Sequence, residues 1–223
     1  MTTKVKICGI NSEVALDAAI EAGADYVGFV FYPKSPRNID IATAAKFVRR
    51  ARERSRTKTV ALVVDPEDQQ LDEIVKRFAP DFFQLHGHES LERVRAVRSR
   101  TGVAIIKAIP VRTRADVSAA GTYHTPGSAA DTVLFDAKPP ADPKALPGGN
   151  GLSFDWRILD AVEGRYPYAL AGGLTPENVG EAIRLTGAAI VDVSSGVESA
   201  PGRKDPELIR RFLKAAKTAK QTA

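Results

Sequence analysis

Two patterns of apolar positions alternate along this chain from end to end. Short runs of β-branched and apolar residues fall at 5–8, 26–31, 59–64, 82–85, 104–109, 132–135, 168–171 and 190–193. Between them, apolar residues recur at helical spacing in EVALDAAIEAG (13–23), IATAAKFVRRARE (41–53), LDEIVKRFA (71–79) and SLERVRAVRSRTG (90–102). PENVGEAIRLTG (176–187) and DPELIRRFLKAAKTAK (205–220) continue the series, with weaker helical stretches at 114–120 and 154–162. Gly23, Gly102 and Gly187 each follow a helical stretch, where a glycine ends the last turn without strain. Thr175 and Pro176 read as an N-cap followed by a proline at the first helical position.

Eight strands, each followed by a helix, predict parallel βαβ units. Eight such units in 223 residues predict one closed (β/α)8 barrel, the TIM barrel, as a single catalytic domain over residues 1–223. An open doubly wound sheet is the alternative, but it uses fewer strands with less regularity. EAGADYVGFVF (21–31) and RLTGAAIVDVSSG (184–196) echo one another, as a repeated unit would. The proline-rich stretch 139–151 reads as a loop after the sixth strand and not as a domain boundary.

Strand parity locates the polar chemistry. Side chains alternate faces along a strand. In the first strand Val5 and Ile7 share one face, while Lys4, Lys6 and Cys8 share the other. The fourth strand groups Gln84 with His86, and the sixth ends on Asp136. Lys107 and Asp192 are the polar positions of the fifth and eighth strands. These polar residues are expected inside the barrel, with Lys6 and Asp192 paired if the eighth strand closes on the first. Cys8, His86 and Asp136 fall at the C-terminal strand ends, where barrels of this kind place their chemistry. Taken singly, each has a plain structural reading: a small buried thiol, a turn cap, an exit cap. Their common position at one mouth gives them the functional one.

The loops after strands seven and eight read as a phosphate cradle. AGGL (171–174) and DVSSGVE (192–198) offer Gly172, Gly173, Ser194, Ser195 and Gly196. Glycines let backbone N–H groups approach an anion, and hydroxyls with a helix start complete the site.

Composition narrows the classes. A single cysteine excludes an internal disulfide and a thiolate zinc cluster. No apolar run is long enough to cross a bilayer, and MTTKVKICGI lacks a secretory core. A cytoplasmic location without a membrane partner is therefore expected. The net charge of +5 sits largely in 49–58 and 214–220, on helical patterns. With 7% aromatics, this reads as a solvated helix face and not as a nucleic-acid surface.

KICGI (6–10), GFVF (28–31), SPR (35–37), QLHG (84–87), Asp136, PGGNG (147–151), AGGL and VDVSSGVE (191–198) occur in one order and spacing. In these motifs the chain resembles the phosphoribosylanthranilate isomerases of tryptophan biosynthesis over nearly its whole length. The resemblance implies a (β/α)8 barrel that uses no cofactor and no metal. It implies an Amadori rearrangement of N-(5-phosphoribosyl)anthranilate to 1-(2-carboxyphenylamino)-1-deoxyribulose 5-phosphate. Matched by position, Cys8 is the general base, Asp136 the general acid and Arg37 the holder of the anthranilate carboxylate. From strand parity, Gln84 and His86 are expected to line the substrate. A small phosphoribosyl substrate is thus the expected partner, in a monomer or a homodimer. Asn150 stands where the family usually has threonine, and the loop before it is somewhat long.

Ring opening needs a proton on the ribose ring oxygen, and enolamine formation needs removal of the proton at C2. As an acid, Asp136 must start protonated, against an ordinary pKa of about 3.9, which desolvation under a covered mouth favours. Cys8 is expected to shift from about 8.5 toward neutrality. Rival readings are a pentose-phosphate epimerase, an indole-forming synthase and a non-catalytic phosphosugar or RNA binder. Neither of the two rival enzymes gives Cys8 a task.

Overall fold

The structure is a computed structural model that describes residues 3–124, 129–142, 146–162 and 164–219. Eight parallel strands close into a barrel in sequence order. They are β1 (Lys4–Cys8), β2 (Tyr26–Val30), β3 (Lys58–Val63), β4 (Phe82–Leu85), β5 (Ala104–Val111), β6 (Thr132–Ala137), β7 (Tyr168–Leu170) and β8 (Ile190–Val193). Closure runs through β1 and β8, with Lys6 in register with Asp192.

Helices α1 (Glu13–Glu21), α2 (Ile41–Arg54), α3 (Asp68–Arg77), α4 (Leu91–Thr101) and α5 (Arg114–Ala119) follow the first five strands. After β6, where a helical stretch was expected, the chain forms only a 3₁₀ segment, Trp156–Val162. Helices α6 (Val179–Thr186) and α7 (Pro206–Thr218) follow β7 and β8. Between β8 and α7 lies a hairpin absent from the sequence expectation, β9 (Glu198–Ala200) with β10 (Arg203–Lys204). The expected helix end at 220 lies outside the described residues.

Gly102 and Gly187 end α4 and α6 in the left-handed conformation, as expected. Thr175 caps the turn that leads into α6, its hydroxyl accepting from Glu177 N–H at 3.2 Å and its C=O from Val179 N–H at 3.1 Å, while the regular helix starts three residues after Pro176. Asn178 explains the delay. Its carboxamide accepts from Thr175 N–H at 2.8 Å and donates to Gly173 C=O at 2.9 Å, so it is committed to closing the loop after β7.

The strands sort into two apolar layers. Val5, Ile7, Phe83, Leu85, Ile105, Phe135 and Val191 face the helices. Tyr26, Val60, Ile106, Leu134, Ala169 and Ile190 fill the barrel interior. Lys107 departs from the expected position. On β5, Ile106 and Ala108 take the interior face, so parity turns Lys107 outward with Ile105 and Val111. There its ammonium donates to Glu89 at 2.6 Å and Gly87 C=O at 2.8 Å, pinning the loop after β4.

The basic run 49–58 is largely paired within the fold. Arg50 forks onto Asp17 of α1 at 2.7 and 2.6 Å, and Arg54 reaches Asp17 and Glu21. Among the described residues no helix is long and apolar enough to cross a membrane.

Candidate active site

Strand ends and loops line a pocket at the C-terminal mouth of the barrel. Its lining brings together every sequence-predicted site residue: Cys8, Arg37, Gln84, His86, Asp136, Gly172, Gly173, Ser194, Ser195 and Gly196. Tertiary closure alone makes neighbours of residues nearly two hundred positions apart.

Cys8 ends β1 beside Lys6 and Asp192. The Lys6 ammonium donates to Asp192 Oδ2 at 2.8 Å, the internal pair that parity predicts. Both side chains are almost fully buried, and Asp192 Oδ1 has no hydrogen-bond partner among the described residues. Gly28 of β2 leaves the space that Cys8 and Lys6 fill. A Cβ there would lie 2.9 Å from Cys8 Sγ and 3.3 Å from Lys6 Cε.

The expected drop in the Cys8 pKa is not what this environment produces. Burial pushes the thiol up, Lys6 pulls it down, and the Asp192 carboxylate pushes it up again. Lys6 divides its charge between thiol and carboxylate, so its help is partial. Lys6 itself is raised: burial disfavours its charge, but Asp192 and Cys8 outweigh that cost.

Asp136 is the penultimate residue of β6, three strands around the barrel from Cys8 through β8 and β7. Ala137 N–H donates to its Oδ1 at 2.8 Å, and His86 Nε2 lies 3.3 Å from its Oδ2. Gln84 Nε2 lies 2.9 Å from the other ring nitrogen of His86, Nδ1. With Gln84 as donor, Nε2 carries the imidazole proton toward Asp136. Asp136 is therefore aimed from two sides.

The segment 146–151 covers this mouth, while residues 143–145 of the loop before it lie outside the described residues. Gly148 sits directly on the Asp136–His86 pair. A Cβ there would lie 2.5 Å from His86 Nε2 and 2.6 Å from Asp136 Oδ2. Gly149 C=O accepts from Arg37 Nη2 at 3.2 Å. The departure at Asn150 has a local role, its amide donating to Leu146 C=O at 2.8 Å.

The loops after β7 and β8 meet at the same rim. Gly172 has φ +87°, which an L side chain resists, and a Cβ would press on Ala137 N at 2.7 Å. Ser195–Val197 forms a single 3₁₀ turn after Ser194 in place of a full helix start. It packs directly on the loop after β7, where a Cβ on Gly196 would collide with Leu174 C=O, and both loops line the pocket.

A family model described as N-(5'phosphoribosyl)anthranilate (PRA) isomerase matches residues 5–215. The chain belongs to the N-(5'-phosphoribosyl)anthranilate isomerase family. It is 53% identical over 217 residues to the N-(5'-phosphoribosyl)anthranilate isomerase of Paramagnetospirillum magneticum, covering 97% of this chain and 98% of the relative. A dimeric isomerase of this family from Thermotoga maritima, solved as engineered monomers, is 33% identical with a TM-score of 0.81. The alignment covers 97% of this chain and 99% of that one. A family structure in complex with reduced 1-(o-carboxyphenylamino)-1-deoxyribulose 5-phosphate matches equally well, at 33% identity and a TM-score of 0.81, over 97% and 99% of the two chains. The barrel fold is thus shared over nearly the whole of each chain.

Two residues beside this pocket have no place in the sequence expectation. Glu198 and Lys204 stand behind Arg37, buried on the β9–β10 hairpin. Glu198 lies inside the quoted motif VDVSSGVE, which was signal enough to suspect it. Lys204 lay in no motif and no predicted element.

Proposed function

We propose that the barrel mouth isomerises N-(5'-phosphoribosyl)anthranilate to 1-(2-carboxyphenylamino)-1-deoxyribulose 5-phosphate, in tryptophan biosynthesis, by general acid–base catalysis. The observation that carries the proposal is one pocket holding a thiol, a carboxyl, an arginine and two phosphate-type loops. These match the reacting sugar carbons, the ring oxygen, the carboxylate and the phosphate of that substrate.

Asp136 delivers a proton to the ribose ring oxygen as the C1–O bond breaks, and the anthranilate nitrogen supplies the electron pair that forms the iminium. Cys8 then takes the proton from C2, and the C–H electrons form the enolamine and return the pair to nitrogen. Loss of the enol proton and protonation at C1 give the ketone. His86 and Ala137 N–H fix the direction of Asp136. Arg37 faces the substrate carboxylate, and Gly172, Gly173, Ser194, Ser195 and Gly196 hold the phosphate through backbone N–H groups and hydroxyls.

A raised Cys8 pKa has two opposed effects: less thiolate at neutral pH, but a stronger base in each ionised molecule. Lys6 keeps the thiolate accessible, since its ammonium is the opposing charge on the same strand face.

The substrate fluoresces through its anthranilate ring, so turnover is read directly. Purified protein mixed with the substrate is expected to consume its fluorescence catalytically, with no added metal. Saturable binding without consumption would instead make the protein a phosphosugar sensor. Salt-sensitive RNA binding that survives alteration of Ser194–Gly196 would favour a nucleic-acid role. The count of chains per particle, one or two, is read by sedimentation.

A further inference from the structure

Glu198 touches no reacting atom and lines no part of the pocket, yet it is the hub of a buried charge network. Arg37 donates Nε to Glu198 Oε1 at 2.8 Å and Nη2 to Oε2 at 2.9 Å. Lys204 Nζ donates to the same Oε1 at 2.6 Å. Gly202 N–H, in the tight turn between β9 and β10, donates to Oε2 at 3.2 Å. The three side chains are only 6%, 4% and 0% exposed. Burial opposes the charge on Glu198, but Arg37 and Lys204 hold its carboxyl below the usual range. Burial likewise lowers Lys204, with Glu198 countering.

The geometry of the fork decides what Arg37 presents. Glu198 takes one edge of the planar guanidinium, Nε with Nη2, in a bidentate pair. The second Nη2 proton is on Gly149 C=O, and Nη1 donates to nothing among the described residues. Only the end of the guanidinium, Nη1 with Nη2, is left for a ligand, and Arg37 lines the pocket. A planar carboxylate meeting that end displaces a single backbone carbonyl.

Lys204 extends the network to the other pole of the site. Beyond Glu198 it donates to Ser194 C=O at 3.0 Å and Ser194 Oγ at 3.2 Å. Ser194 opens the loop assigned to phosphate. Four residues, Arg37, Glu198, Lys204 and Ser194, thus form one continuous strut between the two anion subsites.

We infer that Glu198 and Lys204 are positioning residues that set the orientation of Arg37 and its span to the phosphate loop, gauging the substrate by its carboxylate and phosphate together. The inference rests on the proposed roles of Arg37 and the phosphate loops, and goes beyond them to two residues behind the site.

The test is steady-state kinetics with N-(5'-phosphoribosyl)anthranilate, with inorganic phosphate as a competitive probe of the phosphate subsite. Glu198→Gln is expected to lower kcat/KM roughly 10- to 100-fold, the scale of losing about 1 Å of alignment, with the change carried by KM. Its inhibition by inorganic phosphate stays within about twofold of wild type. In an Arg37→Ala background the same substitution adds less than about twofold, because the group it orients is gone. Glu198→Asp keeps the charge and shortens the reach; it is expected to fold as wild type and still show the raised KM. It decides the matter alone if Glu198→Gln does not fold. Lys204→Gln is expected to weaken both KM and phosphate inhibition.

A wild-type KM in Glu198→Asp or Glu198→Gln, with Arg37→Ala impaired, overturns the positioning role and leaves the Arg37 assignment standing. Full additivity with Arg37→Ala overturns it too. Unchanged phosphate inhibition in Lys204→Gln removes Lys204 from the strut. An unchanged KM in Arg37→Ala itself would fail the underlying reading, and the inference with it.

Discussion

Replacing Lys6 by methionine perturbs both the fold and the chemistry, and the structure sets the size of each effect. Lys6 is 1% exposed and holds the 6% exposed Asp192 carboxylate at 2.8 Å. Removing the ammonium leaves a buried carboxylate without its cation, since Asp192 Oδ1 has no partner among the described residues. Losing one partner of such a pair costs about 3–5 kcal/mol. In a chain of this size each kcal/mol moves Tm by about 2–4 °C, so a drop of roughly 6–20 °C is expected. Lys6→Met/Asp192→Leu removes both charges and replaces them with apolar volume. That double variant is expected near or above wild-type Tm, because the desolvation of both ions is relieved together. The thiol reports the second effect. Without Lys6 the Cys8 pKa rises further, so at fixed pH the single variant is alkylated by iodoacetamide more slowly than wild type. Scanning calorimetry and the pH profile of alkylation give the two readouts. A single variant melting within about 2 °C of wild type, with an unchanged alkylation profile, would refute the reasoning.

Two further outcomes follow from the mouth of the barrel. Gly148→Ala places a methyl against His86 Nε2 and Asp136 Oδ2, with an overpacking cost of about 1–3 kcal/mol. Because segment 146–151 lies over the mouth and not in the barrel core, the cost is expected as a kcat/KM lower by roughly 5- to 150-fold at near-wild-type Tm; a melting shift with unimpaired turnover would contradict it. The pH profile of kcat/KM reports the free enzyme's base. Because burial raises the Cys8 thiol above its ordinary range, kcat/KM is expected to climb through neutral pH and on into the alkaline range, falling as pH falls and the thiol takes its proton. A plateau already reached at pH 7 would contradict that assignment.

Most of the barrel was legible because parallel strands buried on both faces leave an unbroken apolar run, and helices between them leave the 3.6-residue period. Parity carried the chemistry equally far on β1, β4, β6 and β8, where Cys8, His86, Asp136 and Asp192 all point inward. It failed on β5. There Lys107 was read as interior because it is polar, yet its neighbours Ile106 and Ala108 occupy the inner face and Glu89 waits outside. The Glu89 pairing joins β5 to the loop after β4, which no local pattern encodes. The segment after β6 was misread for a related reason: seven residues with helical spacing form only a 3₁₀ run. The β9–β10 hairpin escaped because strands of three and two residues carry no periodicity. The Cys8 shift went the other way from expectation because sequence shows which charges are near in the chain, but not how deeply the thiol is buried or how Lys6 divides its charge.

Acid–base catalysis by Cys8 and Asp136 is tested most directly by following the fluorescence of N-(5'-phosphoribosyl)anthranilate in the purified variants Cys8→Ser and Asp136→Asn. Each variant keeps the size of the side chain and removes its proton-transfer function. The account predicts that turnover falls by about 10²–10⁴ in each, with substrate still bound through Arg37 and the phosphate loops. Turnover near the wild-type rate in both variants would contradict it.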